Sequence, residues 1–159
     1  MKVGYYQNLN EKIVVIGGDH HAKPMTDFIE EYLVSKGVEV ERVAFDENTK
    51  EYISQTIAVT EKISAEPDKY CGIIGCKNGF GVTTVANIFP YVFATRCDDP
   101  QQAIDARLVN YINVLTFGSV FVDENEMKQI IDNWFSTNFE ENEKNLGRLE
   151  RLFTLMNHG

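Results

Sequence analysis

The sequence predicts an α/β fold, a single doubly wound, Rossmann-like domain over residues 1–159 with a five-stranded parallel sheet and a C-terminal helical extension. Two observations predict it. Short β-branched apolar runs alternate along the chain with segments whose apolar residues recur at helical spacing, the pattern of βαβ units. No internal repeat and no Pro-, Gly- or Ser-rich linker divides the 159 residues, and 43% hydrophobic composition is enough for one core.

Residues 12–18, KIVVIGG, read as a first buried strand. Residues 24–36 carry Met25, Phe28, Ile29, Tyr32 and Leu33 at helical spacing, with Pro24 suited to the first turn and Gly37 to the stop. The alternating VEVERVAF of 38–45 predicts a second strand, and 50–65 a second helix with Ile53, Ile57 and Ile63 on one side. Residues 70–76, YCGIIGC, form a third strand, followed by a glycine-containing turn and a helix through Asn87. A fourth strand is expected over 91–96, a helix over 100–110, a fifth strand over 112–118, and a helix over 124–135 started by the acidic run 123–126. These complete a core of about 12–139. The remaining stretch, about 140–157, predicts a helix striped with Leu146, Leu149, Leu152, Phe153 and Met156, for which little of the domain is left as a packing surface. That stripe points to oligomerisation.

The formal charge of −9 sets no field for polyanions, so neither nucleic acid nor an anionic membrane is expected as a partner. The apolar runs are too short to span a bilayer, and residues 1–12 carry no signal-peptide h-region. Cys71, Cys76 and Cys97 form no CxxC pair, and the three histidines add no zinc-type spacing. A cytoplasmic protein with no metal is the expectation.

In parallel sheets, ligands sit beyond the carboxyl ends of the strands at the switch in strand order. After the first strand come Asp19, His20 and His21; a carboxylate beside imidazole can exchange protons with ligand hydroxyls, or Asp19 can simply cap the next helix. After the third strand come Cys76, Lys77, Asn78, Gly79, Phe80 and Gly81. Backbone N–H groups freed by glycine can hold an oxyanion and favour a thiolate at Cys76, although a tight turn around an inert cysteine fits the same residues. Lys77 is the local candidate for an anion contact. Cys71 and Cys97 read as structural, and His158, on the last residues, carries no role.

Together, Gly-Asp-His after the first strand, Cys-x-x-Gly-x-Gly after the third, Ala86-Asn87, Pro90 and Asn110 resemble the family of ribose-5-phosphate isomerase B and the galactose-6-phosphate isomerase subunits. The resemblance runs from Lys12 to about Phe139. It implies cofactor-free aldose–ketose isomerisation of a pentose or hexose phosphate through an enediol, an intramolecular oxidoreductase reaction at a dimer interface. It implies Cys76 as the base between C1 and C2, with Asp19 and His20 on sugar oxygens or phosphate. Lys77, Asn78, Gly79, Phe80 and Gly81 then form the anion-holding loop, and Asn110 is the asparagine of a His-Asn pair.

The chain departs from the family pattern at Lys77 and Asn78, which replace glycine and a hydroxyl residue, and at Val109, which replaces the ring-opening histidine. Arginine positions fall at Phe93 and Val120, and the C-terminal phosphate clamp is absent around 141–145, with Arg148 and Arg151 nearby. This is similar to the cysteine-bearing galactose-6-phosphate isomerase subunit, whose partner chain contributes the histidine and arginines. The expectation is thus an isomerase, inactive or weak alone, in a homodimer, homotetramer or heteromer with a sister subunit. The alternative is a non-catalytic sugar-phosphate-binding or structural homologue. A nucleotide-binding flavodoxin-like or receiver domain fits the topology but lacks the phosphate loop or acidic pocket.

Overall fold

The computed structural model of the chain describes residues 9–157; the N-terminal segment 1–8 and His158, both read above, lie outside the described residues. Three apolar runs become the central strands: β1 (Ile13–Gly18), β3 (Tyr70–Cys76) and β5 (Val114–Gly118). β3 and β5 are buried at every residue, as strands covered on both faces must be. The edge strands are β2 (Val40–Arg42) and β4 (Ala94–Arg96), and the parallel sheet has the order β2-β1-β3-β5-β4. The helices are α1 (Lys23–Ser35), α2 (Tyr52–Ala65), α3 (Phe80–Ala86), α4 (Pro100–Asn110), α5 (Glu124–Ser136) and α6 (Glu143–Asn157).

Two apolar layers hold these helices. Ile29 and Leu33 of α1, Ala103 and Ala106 of α4, Met127 and Trp134 of α5, and Leu149 of α6 pack over one sheet face. Val59 and Ile63 of α2, with Val82 and Ala86 of α3, cover the other. Local signals set the boundaries. Pro24 sits in the first turn of α1, Gly37 follows it at φ +79°, and Asp123 and Glu126 form a reciprocal capping box on α5. Among the described residues, no helix is long and apolar enough to cross a membrane.

The structure differs from the sequence expectation at the sheet edges. The predicted strands 38–45 and 91–96 contract to three residues each. Before β4, Tyr91 takes a left-handed turn, and the Asn113 side chain organises the 91–93 stretch by accepting from Phe93 N and donating to Tyr91 O, both at 2.8 Å. The Asn87 amide occupies the free edge of β4, accepting from Ala94 N and donating to Ala94 O, each at 2.9 Å. This side chain stands in for a further strand and blunts the edge.

The terminal helix also has a receiver within its own chain. Phe153 meets Tyr91 and Phe93 at centroid distances of 6.2 and 6.1 Å, Leu149 is buried, and Leu146 and Met156 pack on the same cluster. The irregular 91–93 turn creates this surface, which the sequence pattern does not display. Leu152 and Leu155 remain exposed.

Candidate active site

The strand order reverses between β1 and β3, which is where the loops at the carboxyl ends of a parallel sheet lead away in opposite directions and where ligands of such sheets bind. Gly18 pairs in register with Gly75, and Asp19 N donates to Gly75 O at 3.2 Å, which sets Asp19 beside the end of the cysteine strand. The buried Asp19 carboxylate accepts from the backbone N–H groups of His21 and Ala22, both at 3.0 Å, and its second oxygen lies 3.3 Å from His21 Nδ1. Asp19 therefore closes the 19–22 turn that leads into α1 rather than capping the helix, whose N-cap is Ala22 with no side-chain cap bond. His20 and His21 are exposed, with ring centroids 4.0 Å apart. Asp19, His20 and His21 are the described residues whose donor atoms, all within 4.8 Å of one another, could coordinate an ion.

Cys76 ends β3 and is 5% exposed. Its sulfur accepts from Gly79 N–H at 3.2 Å, and Gly79 itself takes the left-handed backbone, φ +83°, that carries the chain from this turn into α3. The loop is tied to the end of β5 by Ser119 N to Cys76 O at 2.9 Å and Val120 N to Lys77 O at 3.1 Å. Lys77, Asn78 and Phe80 are exposed. Two of the backbone donors predicted for an oxyanion are already engaged within the loop: Gly79 N–H on Cys76 and Phe80 N–H on Asn78 Oδ1, the latter at 3.2 Å. A Cβ on Gly81 would lie 2.7 Å from the ring of Tyr52, an exposed side chain that would have to move aside.

Asn110 is not brought to this loop. It ends α4, which returns to the amino end of β5. There Val114 pairs with Gly72, whereas Cys76 pairs with Gly118 at the other end of the same strand. Four residues of strand, about 13 Å, separate the two levels. Asn110 and Val109 lie at the opposite end of the sheet from Cys76 in one chain.

The residue missed in the sequence is Arg96. It ends β4, and its guanidinium donates to Asn78 O at 3.1 Å, pairs with Asp98 at 3.0 Å, and lies over the rings of Phe80 at 4.4 Å and Phe121 at 5.1 Å. A cation closing a strand at the ligand end was the available signal. Phe93 instead faces the core, and Val120 is exposed without charge.

The other thiols behave as buried structural groups. Burial pushes Cys71 up to about 12, and burial, then Asp98 and Asp99, pushes Cys97 up to about 12. At about pH 8, iodoacetamide is expected to alkylate Cys76 of the native chain well before Cys71 or Cys97, as read by peptide mass spectrometry. Equal, slow labelling of all three would remove Cys76 as a primed thiol.

Comparison with known proteins places this geometry. The family model described as ribose/galactose isomerase matches residues 14–152. The probable ribose-5-phosphate isomerase B of Mycoplasma genitalium is 32% identical over 130 residues, covering 80% of this chain and 85% of that protein. The crystal structure of ribose-5-phosphate isomerase B from Mycoplasma genitalium with bound ribulose-5-phosphate superposes with a TM-score of 0.86 at 28% identity, covering 92% of this chain and 97% of the other. A DNA damage-repair/toleration protein of Arabidopsis thaliana is 30% identical over 128 residues, 80% of this chain, but that match spans only 40% of its length.

Proposed function

The chain belongs to the ribose/galactose isomerase family, and on that premise we propose that it interconverts the aldose and ketose forms of a sugar phosphate through an enediolate. The observation that carries the reading is Cys76 at the strand-order switch, its sulfur held by Gly79 N–H at 3.2 Å and the loop after β1 alongside. In this reading the Cys76 thiolate takes the proton from C2 of the aldose and returns it to C1 as the carbonyl migrates. Hydrogen moves within one molecule, so the oxidation of one carbon balances the reduction of the next and no redox cofactor is required. Asp19 and His20 face the sugar oxygens, and Lys77, Asn78, Gly79, Phe80 and Gly81 form the wall around the anionic substrate.

The chain needs help with the remaining steps. Val109 cannot transfer a proton, and Asn110 lies at the far end of the sheet from Cys76. A second chain presents Asn110 or its equivalent across the interface; an identical copy carries the same Val109, so a ring-opening histidine at that position comes only with a sister subunit. Three unpaired cysteines suit a cytoplasmic setting.

The test is aldose–ketose conversion by the purified chain, alone and with any sister chain encoded beside it, on ribose 5-phosphate, allose 6-phosphate and galactose 6-phosphate. Conversion in either state supports the reading. Substrate binding without turnover in both states would favour the non-catalytic homologue, to which Val109 and the core-facing Phe93 point. The absence of both binding and turnover would sink the reaction and the binding role and leave only a structural homologue.

A further inference from the structure

The Asn78–Gly79 peptide is bound at both of its ends. Its carbonyl accepts from Arg96 Nη1 at 3.1 Å, and its N–H donates to Cys76 Sγ at 3.2 Å. Because a trans peptide points its C=O and N–H in opposite directions, a cation on one side and the sulfur on the other define one orientation of the plane. Asn-Gly sequences adopt several turn geometries, and a flip of this peptide would take the N–H off the sulfur.

Arg96 is itself held. Its second nitrogen pairs with Asp98 Oδ2 at 3.0 Å, Phe80 and Phe121 flank the guanidinium at 4.4 and 5.1 Å, and its Cδ lies 2.8 Å from where a Cβ on Gly79 would be. A cation on a peptide oxygen draws electron density from the nitrogen and strengthens the N–H as a donor. Hydrogen bonding to the charged form of a thiol favours the thiolate.

We propose that Arg96 is a positioning residue for Cys76: it clamps the Asn78–Gly79 peptide so that the Gly79 N–H stays on the sulfur. The catalytic meaning of the clamp rests on reading Cys76 as the base; the clamp does not. The charged or titratable groups on the segments that leave this end of the sheet include Asp19, His20 and His21 after β1, Asp46, Glu47 and Lys50 after β2, Glu51 and Tyr52 at the start of α2, Lys77 in the loop, Cys97, Asp98 and Asp99 after β4, and Asp123 and Glu124 at the start of α5. The segment from β5 to Val122 carries none.

The experiment is the pH dependence of Cys76 alkylation by iodoacetamide in the full chain without sugar phosphate, resolved by peptide mass spectrometry. Arg96→Met is expected to raise the midpoint by about one unit, and Arg96→Lys, which keeps one donor, to recover at least half of that. The shift persists in about 0.5 M NaCl, where interactions between exposed charges are largely screened. A folded Arg96→Met with the wild-type midpoint overturns the proposal, and so does a shift abolished by salt, which would make Arg96 only a nearby charge. If Arg96→Met fails to fold, Asp98→Asn and Arg96→Lys decide: an upward shift in either supports the clamp, and wild-type midpoints in both overturn it. Loss of isomerase activity in every assay with the shift intact would instead tell against the proposed reaction alone.

Discussion

Cys76→Ala is expected to lower kcat/KM for sugar-phosphate isomerisation by about 10²–10⁴-fold, the span over which positioned general bases contribute. On the proposed reaction the loss falls on kcat, because there the sulfur takes the migrating proton and does not hold the phosphate; sugar-phosphate affinity, read by calorimetry, is expected to change little. The Asp19 carboxylate already accepts two backbone N–H bonds that shape the 19–22 turn, and His20 and His21 are exposed. Asp19→Asn is expected to cost less, since an amide oxygen can still accept those bonds. A Cys76→Ala protein within twofold of wild type, in the assembly that turns over, would remove Cys76 as the base.

The central sheet was legible because three buried strands write themselves as continuous apolar runs bounded by glycine or by polar residues. The loops at the strand-order switch were legible for the same reason, since Asp19 and Cys76 follow directly from where β1 and β3 end. Asn110 shows the limit of a motif without its topology. A residue that ends the helix before a strand lies at the strand's amino end, so resemblance groups Asn110 with Cys76 while the fold parts them. Arg96 was missed although the expected strand 91–96 already ended on it: the turn set by Asn113 removes only residues 91–93, and what gives Arg96 its place is a contact with the Asn78 carbonyl, 18 residues away, that no local pattern displays. The surface that receives α6 depends on the same turn.

The −9 charge gains meaning from this geometry. The cations beside the cysteine loop are Lys77, on the surface, and Arg96, already paired with Asp98. A phosphorylated sugar meets little uncompensated positive charge from one copy, and this is a second, independent reason to expect that another chain completes the site.

Gly118→Ala is expected to damage the fold and the site together. Gly118 pairs in register with Cys76, and a Cβ on it would lie 2.5 Å from both C and O of Asn78 and 2.7 Å from its Cα. These are backbone atoms, which cannot rotate aside as a side chain would. The loop must lift, while Ser119 N on Cys76 O and Val120 N on Lys77 O hold it to the same strand. Overpacking of this kind costs about 3 kcal/mol at the upper end of its usual range, which lowers Tm by roughly 6–12 °C in a chain of this size. The lifted loop also draws Gly79 N–H from the sulfur, so the variant, where it folds, falls toward the Cys76→Ala rate. Gly147→Ala serves as the control: it lies in α6 with nothing within 4 Å of the added Cβ. It should stabilise by up to about 1 kcal/mol through helix propensity and a less flexible unfolded chain. Calorimetric melts of both variants beside wild type read the contrast, and a Gly118→Ala protein with unchanged Tm and full activity would show that the loop does not rest on the bare α-carbon of Gly118.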